Sequence, residues 1–290
     1  MYIRQYFSSL CTSEGLLGSG ADPAFYPLTD PKIRKRVLVA HLVQSVQRRS
    51  EQFIGKPLGK LLFHGWIKDA PGSDRFEASG LSKHIVTDFL GDDALTIEID
   101  PRKLIRIVDT RPSSLAFIWD GDWDLCRGDL RVGSRYLFIS DLDKHRTDLT
   151  KTQRYQDLIS CIESGNPWAS HQLGVFLDTP EKILNYLQVY LDFLDDMAVH
   201  GFNAGRGKDP LGVAISREGK ILKVNKGLHR LAMAQHLGLP SVPVQVCHIH
   251  RDWWNKITAG TTGEEALLKM QKALSSCVPE ESPGPLDDIS

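Results

Sequence analysis

The chain has 290 residues, 41% of them hydrophobic and 24% charged, a balance that excludes an intrinsically disordered polymer and suffices for one large domain or two ordinary ones. Thirty-five Lys and Arg stand against 36 Asp and Glu, a formal net charge of −1, so the basic excess behind most non-specific nucleic-acid affinity is missing. The five cysteines, Cys11, Cys126, Cys161, Cys247 and Cys277, include no C-x-x-C pair, which argues against a disulfide framework or structural zinc and for thiols in a reducing compartment.

The opening Met-Tyr-Ile-Arg-Gln lacks the charged and apolar regions of a signal peptide. No apolar run reaches the roughly 18 residues of a membrane span, so no membrane partner and a cytoplasmic location are expected. Residues 1–31 are broken up by glycines and prolines and read as an irregular leader. Ile33, Val37, Ala40 and Val43 return at helical spacing and predict an amphipathic helix over 31–49, flanked by basic residues. Residues 50–93 are mixed. Leu95, Ile97 and Ile99 predict a half-buried strand, and Leu104 to Val108 a second after the Asp100-Pro101 turn. Leu115, Phe117 and Trp119 alternate again, and Tyr136 to Ile139 reads as a further strand. Helices are expected from Lys151 to Ser164 and over 180–199, the second capped by Thr179-Pro180 with Leu184, Leu187, Leu191 and Leu194 as its buried stripe.

The last third is the most legible. Gly212 to Ser216 and Ile221 to Val224 form a hairpin around Arg217-Glu218-Gly219-Lys220. The chain then passes through Asn225-Lys226-Gly227 into a helix, Leu228 to His236, stopped by Gly238 and Pro240. Val242, Val244 and Val246 alternate in a final strand, and a short helix over 264–274 precedes an acidic, proline-rich tail, 279–290, expected to be disordered. The expected divisions are a leader and helical extension (1–93), an α+β domain of a small mixed sheet flanked by helices (94–257), and a C-terminal helix with its tail (258–290).

The Lys226-Gly227-Leu228-His229-Arg230 stretch has a physical use. A glycine carries no Cβ to keep a ligand from the backbone. The amides opening a helix lack intrahelical partners and face the positive end of its dipole. His229 and Arg230 add donors, Arg being able to grip two phosphate oxygens, and Lys226 adds a cation. The alternative is that His229 and Arg230 only brace the hairpin.

The stretch from Val213 to Val246, with its hairpin, Gly-Leu-His-Arg helix and Val-Pro-Val strand, resembles the core of the ParB/sulfiredoxin-like superfamily. Together with Gly121-Asp122-Trp123-Asp124, Ile162 to Trp168 and His250-Arg251-Asp252-Trp253, it is similar to uncharacterised ParB-like proteins over about residues 95–255. The resemblance implies a fold whose loop and helix N-terminus bind nucleotide phosphates. Lys226 stands where the family usually has an acid, which weakens a transfer of serine-kinase chemistry. No cysteine adjoins the loop, against sulfiredoxin activity. Fewer than 40 residues follow Trp254, against a partition protein with its reader and dimerisation domains.

Asp120, Asp122 and Asp124 alternate, so an extended segment would set their carboxylates on one side, able to hold Mg²⁺. Capping of a turn is the competing reading. Asp122 is the candidate for metal or general-base work. His248 and His250 fall, by simple alternation, on the Val244/Val246 face, spaced for one metal or for packing. Trp253-Trp254 would stack a base or pack. The ligand expected is a nucleoside di- or triphosphate or another phosphorylated small molecule, with Mg²⁺ if the protein is a phosphotransferase or hydrolase. A non-catalytic nucleotide-sensing module is the alternative, and DNA binding ranks last.

Overall fold

A computed structural model describes residues 23–31, 56–68, 70–108, 115–170, 174–206, 210–224 and 226–280. The amphipathic segment 31–49 lies almost wholly outside them. The chain divides into two compact units, one built from residues 23–31 and 137–206, the other from 56–136 and 210–280. The division differs from the sequence boundaries at 93 and 257, because the helices before the sheet pack with it. No helix among the described residues is long and apolar enough to cross a membrane.

The sheet unit begins with three helices, α1 (Lys56–Ile67), α2 (Asp74–Ala78) and α3 (Lys83–Leu90). Its strands are β1 (Thr96–Ile99), β2 (Arg106–Ile107), β3 (Ile118–Trp119), β4 (Gly128–Asp129), β7 (Leu211–Ile215), β8 (Lys220–Lys223), β9 (Val242–His250) and β10 (Val278–Pro279). They form one open mixed sheet in the order β1-β9-β7-β8-β2-β4, with β10 also on β8 and β3 also on β9. The helices α7 (Leu228–His236), α8 (Arg251–Thr258) and α9 (Gly263–Leu274) complete the unit. The fold is mixed α/β, an open sheet flanked by helices.

The predicted hairpin is present. Ala214 faces Leu222 and Val213 faces Lys223 across β7 and β8. On one face Ala214, Leu222 and Val224 pack with Val108, Trp119 and Trp123. Between β7 and β9 the pairing runs Val213↔Val246 and then Ala214↔His248, so Cys247 is an extra residue. A slip of one residue exchanges the faces of everything beyond it. His248 and His250 therefore lie on the opposite face from Val244 and Val246, contrary to simple alternation.

The other unit holds α5 (Gln153–Glu163), the antiparallel pair β5 (Trp168–Ser170) and β6 (Val175–Leu177), α6 (Pro180–His200), and most of α4 (Ser134–Lys144). Thr179 caps α6 by accepting from the Lys182 amide at 3.3 Å, as its Thr-Pro start predicts. Its buried stripe is Ile183, Tyr186, Leu187, Tyr190, Leu191, Leu194 and Met197. Leu184 falls outside it, because Tyr186 and Tyr190 pack against Phe25 with ring centroids 5.8 and 5.6 Å apart. The strand expected over Tyr136–Ile139 is instead part of α4, with Ile139 and Leu142 buried three residues apart. A four-residue apolar run carries no period that separates strand from helix.

Candidate functional site

The β8–α7 junction is set residue by residue. The Val224 amide donates to Gly212 O at 3.1 Å and ends the hairpin pairing, and the Lys226 amide turns back to Val224 O at 2.7 Å. Gly227 adopts φ 69°, ψ 26° as the N-cap of α7 and offers no side-chain cap. A Cβ there would lie 2.8 Å from Leu211 Cδ2. The bare side of this glycine is thus filled by Leu211, and what the position requires is a left-handed backbone against a neighbouring strand, not clearance for a ligand. The Gly227 carbonyl accepts from Leu231 at 3.0 Å to open the helix.

Residues 221–224 and 231–234 are buried, while Lys226, Gly227, Leu228, His229 and Arg230 are each half-buried. The five candidate residues form one solvent-touching window between two buried runs. Among the described residues no acceptor takes the Gly227 or Leu228 amide hydrogen. Burial lowers the pKa of Arg230 from its ordinary value, the signature of a guanidinium that has lost hydration.

Beneath the window lies a residue the sequence reading passed over. Lys223 is fully buried, and its Nζ donates to Gly212 O at 2.9 Å, to Val224 O at 2.5 Å and to Lys226 O. An ammonium has three N–H groups, one for each of these three carbonyls. A lysine within Ile-Leu-Lys-Val, an otherwise apolar strand, was the available signal.

The acidic stretch goes elsewhere. Asp120 pairs with Arg251 at 3.0 Å. Asp122, largely exposed, pairs with Arg217 at 2.8 Å. Asp124 is fully buried and accepts from the Arg217 amide at 2.8 Å and from its guanidinium at 2.8 Å. Burial alone would raise the Asp124 pKa, but the bonds from Arg217 hold it below the ordinary carboxylate value. Hydrogen bonding to Asp124, and secondly to Asp122, raises the Arg217 pKa above its usual value. The expected metal triad Asp120, Asp122 and Asp124 is therefore corrected to arginine partners. Among the described residues no three His, Cys, Asp or Glu side chains gather to hold an ion.

Asp122 is also at the wrong end of the hairpin. Its partner Arg217 sits in the turn, while Lys226 and Gly227 follow the far end of β8. From Lys220 to Val224 is four strand steps, roughly 13 Å. The Asp122–Arg217 pair and the window therefore lie at opposite ends of the hairpin.

The two histidines are structural. His248 stacks on Trp119 with centroids 3.7 Å apart and its Nδ1 lies 2.9 Å from Ala116 O. His250 Nδ1 accepts from the Asp252 amide at 3.0 Å and so caps α8, while its Nε2 donates to Gly121 O at 2.8 Å. Trp253 and Trp254 are buried. Trp254 Nε1 donates to Glu77 at 2.7 Å, and Trp253 lies beneath the Gly219 turn. Both pack. Comparison with protein-family models, with curated proteins and with solved structures found no match.

Proposed function

We propose that the window from Lys226 to Arg230 binds the phosphate of a nucleotide or another phosphorylated small molecule, and that the protein is a nucleotide-sensing or protein-interaction module. The observation that carries this is the combination at one helix start: two amides without an acceptor, no side-chain cap, and a dehydrated Arg230 beside them. An anion there would satisfy the two amide donors. The order of hairpin, Gly-Leu-His-Arg helix and Val-Pro-Val strand is the part of the ParB/sulfiredoxin-like resemblance that supports the same reading.

A phosphotransferase or nucleoside-triphosphate hydrolase needs a carboxylate to handle Mg²⁺ or the attacking hydroxyl. The one nominated, Asp122, pairs with Arg217 at the other end of the hairpin from the window, so the non-catalytic reading takes precedence. DNA binding keeps its last place for want of a basic excess.

Titration calorimetry with ATP, CTP, GTP and pyrophosphate, with and without Mg²⁺, tests the proposal. Binding is expected, and Arg230→Ala should weaken it at least about tenfold, the worth of one charge-assisted hydrogen bond, with an unchanged circular dichroism spectrum. No binding by the wild type, or equal binding by the variant, overturns it. Phosphate release that Asp122→Asn abolishes would restore the enzyme, and salt-sensitive DNA retention would restore the third reading.

A further inference from the structure

Lys223 is buried, its three carbonyl acceptors match the three N–H groups of an ammonium, and it is joined to the window by a single peptide group. The Lys226 carbonyl accepts from Lys223 Nζ, and among the described residues every peptide bond is trans. In a trans peptide the C=O and the following N–H point in opposite directions. An ammonium that draws the Lys226 carbonyl inward therefore sends the Gly227 N–H away from itself, toward the open helix start. The same contact withdraws electron density across the peptide and makes that N–H a stronger donor. The bond to Gly212 O ties the ammonium to β7, so the direction is referenced to the sheet.

We infer that Lys223 is a positioning residue for anion binding: its buried ammonium, held among the Gly212, Val224 and Lys226 carbonyls, aims and polarises the Gly227 amide. In its last step the inference rests on the phosphate reading of the window. It also accounts for a lysine buried at the open end of the hairpin, where burying a cation is costly. No ligand atom touches Lys223; it acts through the 226–227 peptide.

The test uses the full chain and pyrophosphate. In lysine-selective ¹H–¹⁵N spectra near neutral pH, the Lys223 ammonium should persist while exposed ones vanish by exchange, and should shift as pyrophosphate is added. Lys223→Met should displace the Gly227 and Leu228 amide resonances and weaken pyrophosphate binding at least about tenfold; Lys223→Arg, which keeps the charge, should recover part of it. Absence of a protected ammonium, or a folded Lys223→Met variant with those amides and that affinity unmoved, overturns the inference. If the Met variant does not fold, the wild type decides: bound pyrophosphate that leaves the ammonium signal in place overturns it equally. Failure of the wild type to bind pyrophosphate or any nucleotide instead sinks the phosphate reading, while the amide displacement in Lys223→Met still judges the positioning role.

Discussion

Two carboxylates two residues apart have opposite worth. Asp122 meets only the outer nitrogen of Arg217 and is largely exposed, whereas Asp124 is fully buried and takes both the Arg217 backbone amide and its guanidinium. Exposed pairs contribute about 0–1 kcal/mol, but removing one partner of a buried pair strands the other and costs about 3–5 kcal/mol. Urea denaturation should therefore place Asp122→Asn within about 1 kcal/mol of wild type and Asp124→Asn at least about 3 kcal/mol below it. An equal loss in both would mean that the arginine, not the burial, sets the scale. Asp-x-Asp-x-Asp told the reader that the carboxylates share a neighbourhood. It was silent on Arg217, which lies about ninety residues on and reaches them only through the fold.

At the scale of elements, α7 was legible end to end: Leu228–His236 is the expected helix. Gly227 and the Gly238-Leu239-Pro240 stop are local signals, and local signals need no tertiary knowledge. Gly227→Ala should destabilise by about 1–3 kcal/mol, since it adds a strained left-handed φ to a Cβ overpacked against Leu211; a melt with no change would show that Leu211 gives way freely. What stayed hidden had non-local causes. The Cys247 bulge reverses the histidines and leaves no mark in the alternation of β9. Helix α8 escaped notice because its cap is a histidine, an uncommon capping residue. The candidate window itself could be read in sequence, but Lys223 beneath it could not be assigned, because its partners are carbonyls, which every residue has.

Over the whole sheet unit, the buried Arg127 joins three segments: its guanidinium donates to Asp124 O, to Glu218 at 2.9 Å and to Glu280. Glu280 follows β10, whose Val278 and Pro279 pair with Lys220 and Ile221 of β8. The tail expected to be disordered from 279 thus begins with an ordered strand and a buried carboxylate. Glu280→Gln should cost about 2–4 kcal/mol in urea denaturation, and a value near zero would make β10 an ornament of the edge. The same network sets an acid limit. Burial opposes ionisation of Asp124 and Glu218, yet their bonds, to Arg217 for the first and to Ser216 and Arg127 for the second, leave both pKa values lowered. Groups depressed in the folded state contribute stability that is complete above their unfolded values, near 4, and is lost as pH falls through the folded ones. Denaturation midpoints should hold between pH 7 and 5 and drop steeply below about 4, less steeply in Asp124→Asn.

The β7–β8 hairpin carries its ion-paired turn at one end and the Lys223-ordered window at the other. Sites so far apart respond to substitution independently, within roughly 0.5 kcal/mol. The protein can therefore be engineered as two knobs. Strengthening the turn clamp would raise heat tolerance without retuning whatever the window holds, and the stability change of a redesigned window would simply add to that gain.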